Sequence, residues 1–378
     1  MRPGSRASFP YAGAVALIGA HWLIKSSVVQ IENFTIWPCH KVFVIAEAGV
    51  NHNGSLQTAK QLVRAAKAAG AQAVKFQTFS AEELVTSDAP KADYQIENTG
   101  ARESQLQMLK NLELEDSEFL ELAGFCRQEG IVFLSTPYGT RDIRLLAECK
   151  VPAIKIASAL TVEPHFLQEA ASLGVPLIVS TGMMSLGEVA AAAETLSKVA
   201  SDRFVLLQCV TNYPATVGSS NLRAMQLMGT AFQCPVGFSD HTETMLAGTL
   251  AVGMGACVLE RHLTLDRSAD GPDHRASSNP EEFAQYVQAI RAAESALGDG
   301  FKRPVPEEIR NMTKMRRSIV TAREIEPGRK LTKEDLTCKR PATGIPPRDW
   351  NKVLGRQVRE PLAKDTILRW SMLDHDSD

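Results

Sequence analysis

The hydrophobic and polar positions of this chain follow a regular rhythm between residues 42 and 297. Short runs of apolar and β-branched residues recur along this region, as expected for buried strands. They predict eight strands, at residues 42–48, 73–79, 131–138, 153–158, 176–182, 204–211, 236–242 and 257–264. Between them, apolar residues spaced three and four positions apart predict helices, among them 56–69, 116–129, 186–199, 245–254 and 280–297.

Residues that favour helix ends flank several of the predicted helices. They are Ser55, Asp116 and Asn279 at the N-terminal ends, and Gly70, Gly130 and Gly298 at the C-terminal ends. Eight strand–helix units over roughly 260 residues match the number and size of a TIM (β/α)8 barrel. The alternative is a doubly wound open sheet, whose usual glycine-rich first turn and later acidic residue this chain lacks. We therefore predict an α/β fold built on a TIM barrel.

The pattern changes on both sides of the predicted barrel. Residues 301–316 are rich in proline and charge and are interpreted as a linker. Residues 317–378 contain short β-like pieces that alternate with turns, which predicts a small β-rich domain. The expected order is an extension at 1–41, a barrel domain at 42–300, the linker, and the small domain.

The first 41 residues have an unusual composition. Arg2 and Arg6 precede an apolar stretch at residues 11–24, an arrangement similar to a secretory signal peptide. The stretch is too short to span a membrane comfortably, and His21, Trp22 and Lys25 occupy the positions where a small-residue cleavage site would be expected. We interpret residues 1–41 as a disordered extension or as the result of an upstream start codon.

The overall composition excludes several classes of protein. A net charge of −2 with no basic block gives no reason to expect nucleic acid as a partner. The seven cysteines show no CxxC spacing, which favours the reducing cytosol over a disulfide-bonded secreted protein. The chain also lacks the P-loop, HExxH and EF-hand motifs.

Polar residues occupy the carboxyl ends of all eight predicted strands. In a TIM barrel these ends and the loops after them form the active site. The residues at these positions are Glu47, Lys75, Gln77, Ser135, Thr136, Lys155, Ser158, Ser180, Thr181, Thr211, Asn212, Tyr213, Ser239, Asp240, His241, Glu260 and His262. The long connection at residues 80–115 exceeds a simple turn, so we expect it to cover the substrate.

Two histidines and two lysines carry the most specific chemistry. His241 and His262 end adjacent strands, where two imidazoles with open positions suit a divalent cation such as Mn²⁺; the alternative is two polar histidines at the barrel rim. Lys75 and Lys155 lie in apolar strands, and no acid near them in sequence is an obvious partner. An anionic ligand such as a phosphate would satisfy both, and a Schiff-base lysine is the other functional interpretation.

Eight stretches of this chain resemble the sialic acid synthase family in the same order along the sequence. They are IAEAGVNHNGS, VKFQTF, FLSTPY, IKIAS, STGM, CVTNYP, GFSDHT and LERHLTLD. The C-terminal region, including CKRPATGIPP, is similar to the antifreeze-like (SAF, β-clip) domain of that family. The resemblance implies an enzyme that condenses phosphoenolpyruvate with an N-acylated amino-hexose, yielding a nine-carbon sialic acid and phosphate.

The resemblance also implies roles for individual residues. Phosphoenolpyruvate would be held by Lys75, Thr136, Lys155, Ser158, Ser180 and Ser239. A divalent metal, Mn²⁺ with Mg²⁺ or Co²⁺ as alternatives, would be bound by His241 and His262, and Glu47 would be the general acid/base. The sugar would contact Gln77, Tyr213, Asp273 and Arg340. In the family pattern the arginine comes from the neighbouring subunit, so the resemblance implies a cytoplasmic homodimer that exchanges its SAF domains.

One position departs from the family pattern and leaves the acceptor sugar open. Many members have an acidic residue two places after the serine of IAS, where this chain has Leu160, with Glu163 nearby. N-acetylmannosamine is the leading acceptor on the resemblance. The alternatives are precursors of legionaminate, pseudaminate or a spore-coat sugar, and a hexose that lacks a hydroxyl would need the acid less. A non-catalytic glycan- or ice-binding protein is the remaining alternative.

Overall fold

The computed structural model describes residues 28–38, 40–100 and 103–374. Within them, eight parallel strands form one sheet. They are β3 (Phe43–Gly49), β4 (Ala73–Thr78), β5 (Val132–Pro137), β6 (Ile154–Ile156), β7 (Leu177–Ser180), β8 (Phe204–Cys209), β9 (Val236–Asp240) and β10 (Val258–His262). Their order in the sheet is β5-β4-β3-β10-β9-β8-β7-β6. The end strands β5 and β6 lie side by side and close the sheet into a barrel, which confirms the predicted TIM barrel.

Helices follow the strands, and most of them pack their apolar faces against the outside of the barrel. The three short helices between residues 81 and 110 are the exception, since they belong to the connection that reaches the cavity. Those of the first half are α1 (Leu56–Ala68), α2 (Ala81–Leu84), α3 (Asp93–Thr99), α4 (Gln105–Lys110), α5 (Asp116–Glu129) and α6 (Thr140–Glu148). Those of the second half are α7 (Pro164–Ser172), α8 (Leu186–Val199), α9 (Leu222–Phe232), α10 (Leu246–Gly253) and α11 (Pro280–Leu297). None of the helices in the described part of the chain is long and apolar enough to cross a membrane.

The helix ends follow the local chemistry that the sequence indicates. The hydroxyl of Ser55 accepts a hydrogen bond from the amide of Thr58, and the side chain of Asn279 accepts one from the amide of Glu282. Gly130 ends α5 in the left-handed conformation, which glycine adopts without steric cost. The cap of α5 is Glu115, one residue earlier than predicted.

Residues 28–36 form regular secondary structure, whereas the sequence analysis predicts a disordered extension there. They form an antiparallel hairpin of β1 (Val29–Ile31) and β2 (Phe34–Ile36). The side chains of Val29, Ile31 and Ile36 are buried among inward-facing residues at the amino-terminal ends of the barrel strands. The hairpin therefore closes that end of the barrel with apolar side chains. The predicted signal-like stretch at residues 11–24 lies outside the described residues.

The second compact unit of the chain comprises residues 299–378. Its elements are α12 (Pro306–Met315), β11 (Ser318–Thr321), β12 (Leu336–Lys339) and α13 (Trp350–Val353). Helix α12 lies within residues 301–316, which the sequence analysis interprets as a linker. The two strands pair antiparallel over a small apolar core that includes Ile319, Leu336 and Leu368.

A buried ion pair joins β9 and β10 on the outer side of the barrel wall. An Arg261 Nη1 hydrogen donates to Asp240 Oδ2 at 3.2 Å, and Arg261 Nε donates to the Ser278 hydroxyl at 2.7 Å. The guanidinium lies 4.7 Å from the ring centre of Tyr286, on α11. Both charged residues immediately precede a histidine of the predicted site, so this pair fixes the strand ends that present His241 and His262.

The hairpin at the bottom of the barrel is expected to stabilise the fold. Replacing a fully buried isoleucine by alanine leaves a cavity, so Ile31→Ala should lower the free energy of unfolding by about 2–5 kcal/mol. Urea denaturation of the full chain measures this change. Val28→Ala is the control, since Val28 is 50% exposed and should change stability little. Equal changes in the free energy of unfolding for the two substitutions would show that the hairpin does not stabilise the fold.

The Asp240–Arg261 pair leads to a second stability prediction. Asp240→Asn leaves a buried guanidinium without its counter-charge, so it should cost about 3–5 kcal/mol of unfolding free energy. Glu129→Gln is the matched control, because Glu129 pairs with the exposed Arg64 at 3.0 Å and should cost about 1 kcal/mol or less. The prediction is wrong if urea denaturation gives the same cost for both.

Candidate active site

The carboxyl ends of the eight strands surround a cavity of about 400 Å³. All but two of the predicted site residues line it. They are Glu47, Lys75, Gln77, Lys155, Ser158, Ser180, Tyr213, Ser239, His241, Asp273 and His262. The exceptions are Thr136, which lies buried behind Lys75 and accepts a hydrogen bond from its ammonium at 2.7 Å, and Arg340, which belongs to the second unit.

Strand register brings the first carboxylate to the first lysine. Glu47 on β3 is the direct neighbour of Lys75 on β4, and Lys75 Nζ lies 2.7 Å from Glu47 Oε2. Gln77 Nε2 donates to the other carboxylate oxygen of Glu47 at 3.2 Å. Lys75 therefore does have an acidic partner, contrary to the sequence interpretation, because pairing between parallel strands joins residues distant in sequence.

The second lysine lies across the barrel from a second carboxylate. Lys155 Nζ is 3.8 Å from Glu260 Oε1 and donates to the Ser180 hydroxyl at 2.7 Å. The Ser239 hydroxyl donates to the same oxygen of Glu260 at 3.0 Å. The sequence analysis places Glu260 among the strand-end residues but assigns it no role. It stands two positions before His262 on one strand, so side-chain alternation places both on the inner face, and this signal could have identified it as a counter-charge.

Burial and neighbouring charges shift the pKa values of these groups in different directions. Burial raises the pKa of Glu47 to about 7, although the nearby Lys75 lowers it in part. Burial has the same upward effect at Glu260, but the positive charges of Lys155 and Lys75 outweigh it and hold the pKa of that carboxyl below its usual value. Burial lowers the pKa of the Lys155 ammonium, an effect that Glu260 opposes. Of these two carboxyls, Glu47 is therefore the one that can exchange a proton near neutral pH.

The two histidines present neutral imidazoles to the same cavity. Burial lowers the pKa of both rings, that of His262 furthest, with further lowering there from His241. His241 Nδ1 lies 2.7 Å from the Val210 carbonyl oxygen, so we assign the ring proton to this nitrogen. Nε2 is then the unprotonated nitrogen and carries the lone pair. The ring centres are 5.3 Å apart.

A divalent cation fits this pair of imidazoles. His262 Nδ1 is buried and has no hydrogen-bond partner among the described residues, and the nearest carboxylate oxygen, on Asp273, is 3.9 Å away. Neutral imidazole is the form that coordinates divalent metals. Within the described ranges, no group of three or more His, Cys, Asp or Glu side chains has metal-binding geometry. The two histidines could therefore provide an open site, with positions left for substrate oxygens.

The loop after β10 carries Asp273 into the cavity. Burial raises the pKa of Asp273 to about 6. Its backbone carbonyl accepts a hydrogen bond from the Ser277 hydroxyl at 2.7 Å, and Asn51 Nδ2 donates to that hydroxyl at 2.9 Å. The turn after β3 thereby holds Asp273 in place.

The connection at residues 80–115 reaches the cavity, as predicted for a covering segment. Its helix α3 places the Tyr94 ring 5.2 Å from that of Tyr213, whose ring centre is 4.2 Å from that of His241. Asn98 on the same helix donates to the Pro272 carbonyl at 2.6 Å. Tyr94 was not identified from the sequence, because no strand alternation orients residues of an irregular segment.

The position that departs from the family pattern does not face the cavity. Leu160 is buried and packs into the core between the barrel and its helices. The neighbouring Ala157, Ser158 and Ala159 line the cavity instead. Glu163 immediately precedes α7, and its Oε2 lies 3.5 Å from the exposed His165. It therefore does not replace the acid of the family pattern.

Comparisons with known proteins agree with this geometry. A model of the NeuB family matches residues 62–302, and a model of the SAF domain matches residues 316–374. The N,N'-diacetyllegionaminic acid synthase of Legionella pneumophila is 46% identical over 336 residues, covering 88% of this chain and 94% of that protein. The Campylobacter jejuni protein of the same name is 40% identical over 331 residues, covering 87% and 99%.

A solved structure extends the likeness to the fold. The crystal structure of N-acetylneuraminic acid synthetase from Leptospira borgpetersenii, in complex with citrate, is 32% identical with a TM-score of 0.68. The match covers 76% of this chain and 95% of that one. The family match covers more than half of the sequence and agrees with the barrel and the cavity at its strand ends. The chain belongs to the NeuB family of sugar-acid synthases and carries a SAF domain at its C-terminal end.

Proposed function

We propose that this protein condenses phosphoenolpyruvate with a diacetylated, deoxygenated amino-hexose, giving a legionaminate-type nine-carbon 2-keto sugar acid and phosphate. The observation that carries the proposal is the cavity itself, in which two buried lysines, two neutral imidazoles and a carboxyl with a pKa of about 7 converge. The chain's similarity to the two legionaminic acid synthases supports the choice of product.

The lysine side of the cavity suits phosphoenolpyruvate. Lys75 and Lys155 provide two buried ammonium groups, where charge-assisted hydrogen bonds to phosphate and carboxylate are strong. The hydroxyls of Ser158, Ser180 and Ser239 supply neutral donors beside them, and Thr136 orients Lys75 from behind. Since Glu47 has a raised pKa, it can take up a proton when an anion binds at Lys75.

The reaction requires one new carbon–carbon bond and one broken carbon–oxygen bond. C3 of phosphoenolpyruvate attacks the aldehyde carbon of the open-chain sugar, whose oxygen gains a proton. Water then adds at C2 and loses one proton, which leaves a hydroxyl on C2. Phosphate leaves with its bridging oxygen and takes up the proton of that hydroxyl, so C2 becomes the keto carbon. We assign the removal of the water proton to Glu47, which is held at the lysine side by Lys75 and Gln77. Gln77, Tyr213 and Asp273 are assigned to the sugar.

His241 and His262 are assigned to a divalent metal, with Mn²⁺ as the proposed ion and Mg²⁺ or Co²⁺ as alternatives. When bound, the ion would act as a Lewis acid toward the aldehyde oxygen. The lowered pKa values of the two imidazoles keep them neutral and able to coordinate it.

The acceptor is proposed from the turn after β6. This turn presents Ala157, Ser158 and Ala159 to the cavity, with neither an acid nor Glu163 beside them. An acceptor that lacks one hydroxyl needs one hydrogen-bond partner fewer from this turn. N-acetylmannosamine remains the second candidate, supported by the likeness to the Leptospira enzyme.

We also propose that the protein acts in the cytoplasm as a homodimer with exchanged SAF domains. Phosphoenolpyruvate is a cytosolic metabolite, and the cysteine pattern fits that compartment. Arg340 is exposed in the second unit, where its Nε donates to the Met315 carbonyl at 2.9 Å. In the family pattern this arginine would contact the sugar bound by the neighbouring subunit.

Phosphate release with a panel of amino-hexoses tests the reaction and the acceptor. With phosphoenolpyruvate present, a diacetylated deoxyhexose should give the highest kcat/KM and a product mass equal to both substrates plus water minus phosphoric acid. N-acetylmannosamine differs from that deoxyhexose by the second acetamido group and by the added hydroxyl, so it should react at least about tenfold less efficiently. A clear preference for N-acetylmannosamine would select the second candidate. No phosphate release with any acceptor would overturn the proposal.

Metal binding provides an independent prediction. Chelation should abolish turnover, and Mn²⁺ should restore it. His241→Ala should weaken Mn²⁺ binding, measured calorimetrically, by at least about tenfold, since even the loss of an outer hydrogen-bond partner costs 10–100-fold. His165→Ala is the control, because that side chain is 79% exposed. Full activity of the His241 variant in chelator would exclude these ligands.

Mixed dimers test the exchange of the SAF domain. Arg340→Ala and His241→Ala should each be nearly inactive alone. In a heterodimer of the two, one site combines an intact barrel with an arginine from the other subunit, so mixing should restore activity. Arg359→Ala, at another exposed arginine of the same unit, should remain active alone. Heterodimers that form, as shown by mass spectrometry, without regaining activity would refute exchange.

A further inference from the structure

The loop after β10 contains a buried histidine to which the proposed reaction gives no role. His274 directly follows Asp273 and is only 3% exposed. Its Nδ1 lies 2.6 Å from the hydroxyl oxygen of Thr264, which is fully buried, and its Nε2 lies 3.2 Å from Asn53 Oδ1. The ring therefore links the residues after β10 to the turn after β3.

The hydrogen bonds around this ring determine its tautomer. Asn53 Nδ2 donates to the Asp270 carbonyl at 2.9 Å, so the oxygen of that amide is the atom that faces His274. An amide oxygen only accepts, and His274 Nε2 therefore carries the ring proton. Burial lowers the pKa of His274, so Nδ1 is unprotonated and accepts from the Thr264 hydroxyl. The Asp266 carbonyl is a more distant partner of the same hydroxyl, at 3.1 Å.

Asn53 and His274 enclose the short segment that carries Asp273. The amide of Asn53 bonds to Asp270 before that segment and to His274 after it. Gly271 lies directly against the ring, since a Cβ at this position would be 2.6 Å from His274 Cδ2 and 3.1 Å from Asn53 Oδ1. Asn53 has a φ of +51°, a conformation that asparagine tolerates better than most residues. The backbone is thus fixed on both sides of Asp273.

We propose that His274, held between Thr264 and Asn53, positions the Asp273 carboxylate for the acceptor sugar. This inference rests on the proposed condensation, in which Asp273 contacts the sugar. Among the described residues, Asp273 lines the cavity and His274 does not. His274 therefore acts through its neighbour in the chain and not on the substrate. A displacement of about 1 Å at a substrate-positioning group can cost roughly 100-fold in rate, so a small change in the loop should matter.

The competing explanation is that His274 serves only to fold the loop. Other contacts already attach the loop to the barrel. Ser278 exchanges backbone hydrogen bonds with His262 and Thr264, and Asn51 Nδ2 donates to the Ser277 hydroxyl at 2.9 Å. Loss of the His274 contacts should therefore redirect Asp273 without releasing the loop. A role limited to folding would lower stability and would not distinguish one substrate from the other.

The experiment measures the kinetics of each substrate separately in the full-length protein. His274→Leu removes both hydrogen bonds of the ring at similar side-chain volume. It should lower kcat/KM for the diacetylated deoxyhexose about 10–100-fold, while KM for phosphoenolpyruvate and the calorimetric affinity for Mn²⁺ change less than about twofold. In an Asp273→Asn background, the same substitution should cause no further loss, because a residue that acts through Asp273 has no effect once that carboxylate is gone.

Asn53→Gly decides the question if His274→Leu fails to fold. Asn53 and Asn221 are both exposed and have positive φ, +51° and +44°, which glycine adopts without steric cost. Asn221 precedes α9 and makes no side-chain cap hydrogen bond, so Asn221→Gly is the matched control and should keep wild-type kinetics. Asn53→Gly should lower kcat/KM for the acceptor about tenfold, with KM for phosphoenolpyruvate unchanged.

Three results would overturn the inference and leave the condensation intact. The first is an equal loss from His274→Leu in the wild-type and Asp273→Asn backgrounds. The second is a loss of the same size for both substrates. The third is equal kinetics of Asn53→Gly and Asn221→Gly. No phosphate release from the wild-type protein with any acceptor would overturn both the inference and the proposed function.

Discussion

The structure depends on the pairing of buried charges inside a closed barrel. Lys75 and Lys155 are almost fully removed from water, which is unfavourable for an ammonium unless a counter-charge lies close by. Glu47 and Glu260 supply these counter-charges only when β3, β4, β6 and β10 are all in register around the barrel. The same closure that makes the charges costly also excludes water from the reaction and strengthens every contact to an anionic substrate.

Much of the fold could be predicted because its signals are local. Strand-length apolar runs, helical spacing and cap residues involve positions close together in the sequence, so the predicted barrel and most of the predicted element bounds were correct. Two features could not be predicted, because they depend on contacts between residues distant in sequence. The hairpin at residues 28–36 is stabilised by barrel side chains far along the chain, and the partner of Lys155 lies about a hundred residues away.

The candidate site was predictable to a similar degree and for the same reason. Residues at strand ends must converge in a parallel barrel, and strand alternation assigns a face to each of them. Tyr94 could not be identified in this way, since it lies on a short helix of the covering segment. The environment of Leu160 could not be predicted either. The conformation of the turn after β6 determines which residues of that turn face the cavity.

The hairpin beneath the barrel has a consequence for the order of events in catalysis. In the described part of the chain, Val29, Ile31 and Ile36 fill the amino-terminal end of the barrel, so access to the cavity is from the side of the covering segment. Under the assignments proposed above, phosphoenolpyruvate binds to the lysines and hydroxyls at the strand ends. A sugar bound nearer the covering segment would then obstruct the path to the lysines. The proposed assignments therefore imply an ordered reaction, in which phosphoenolpyruvate binds before the sugar.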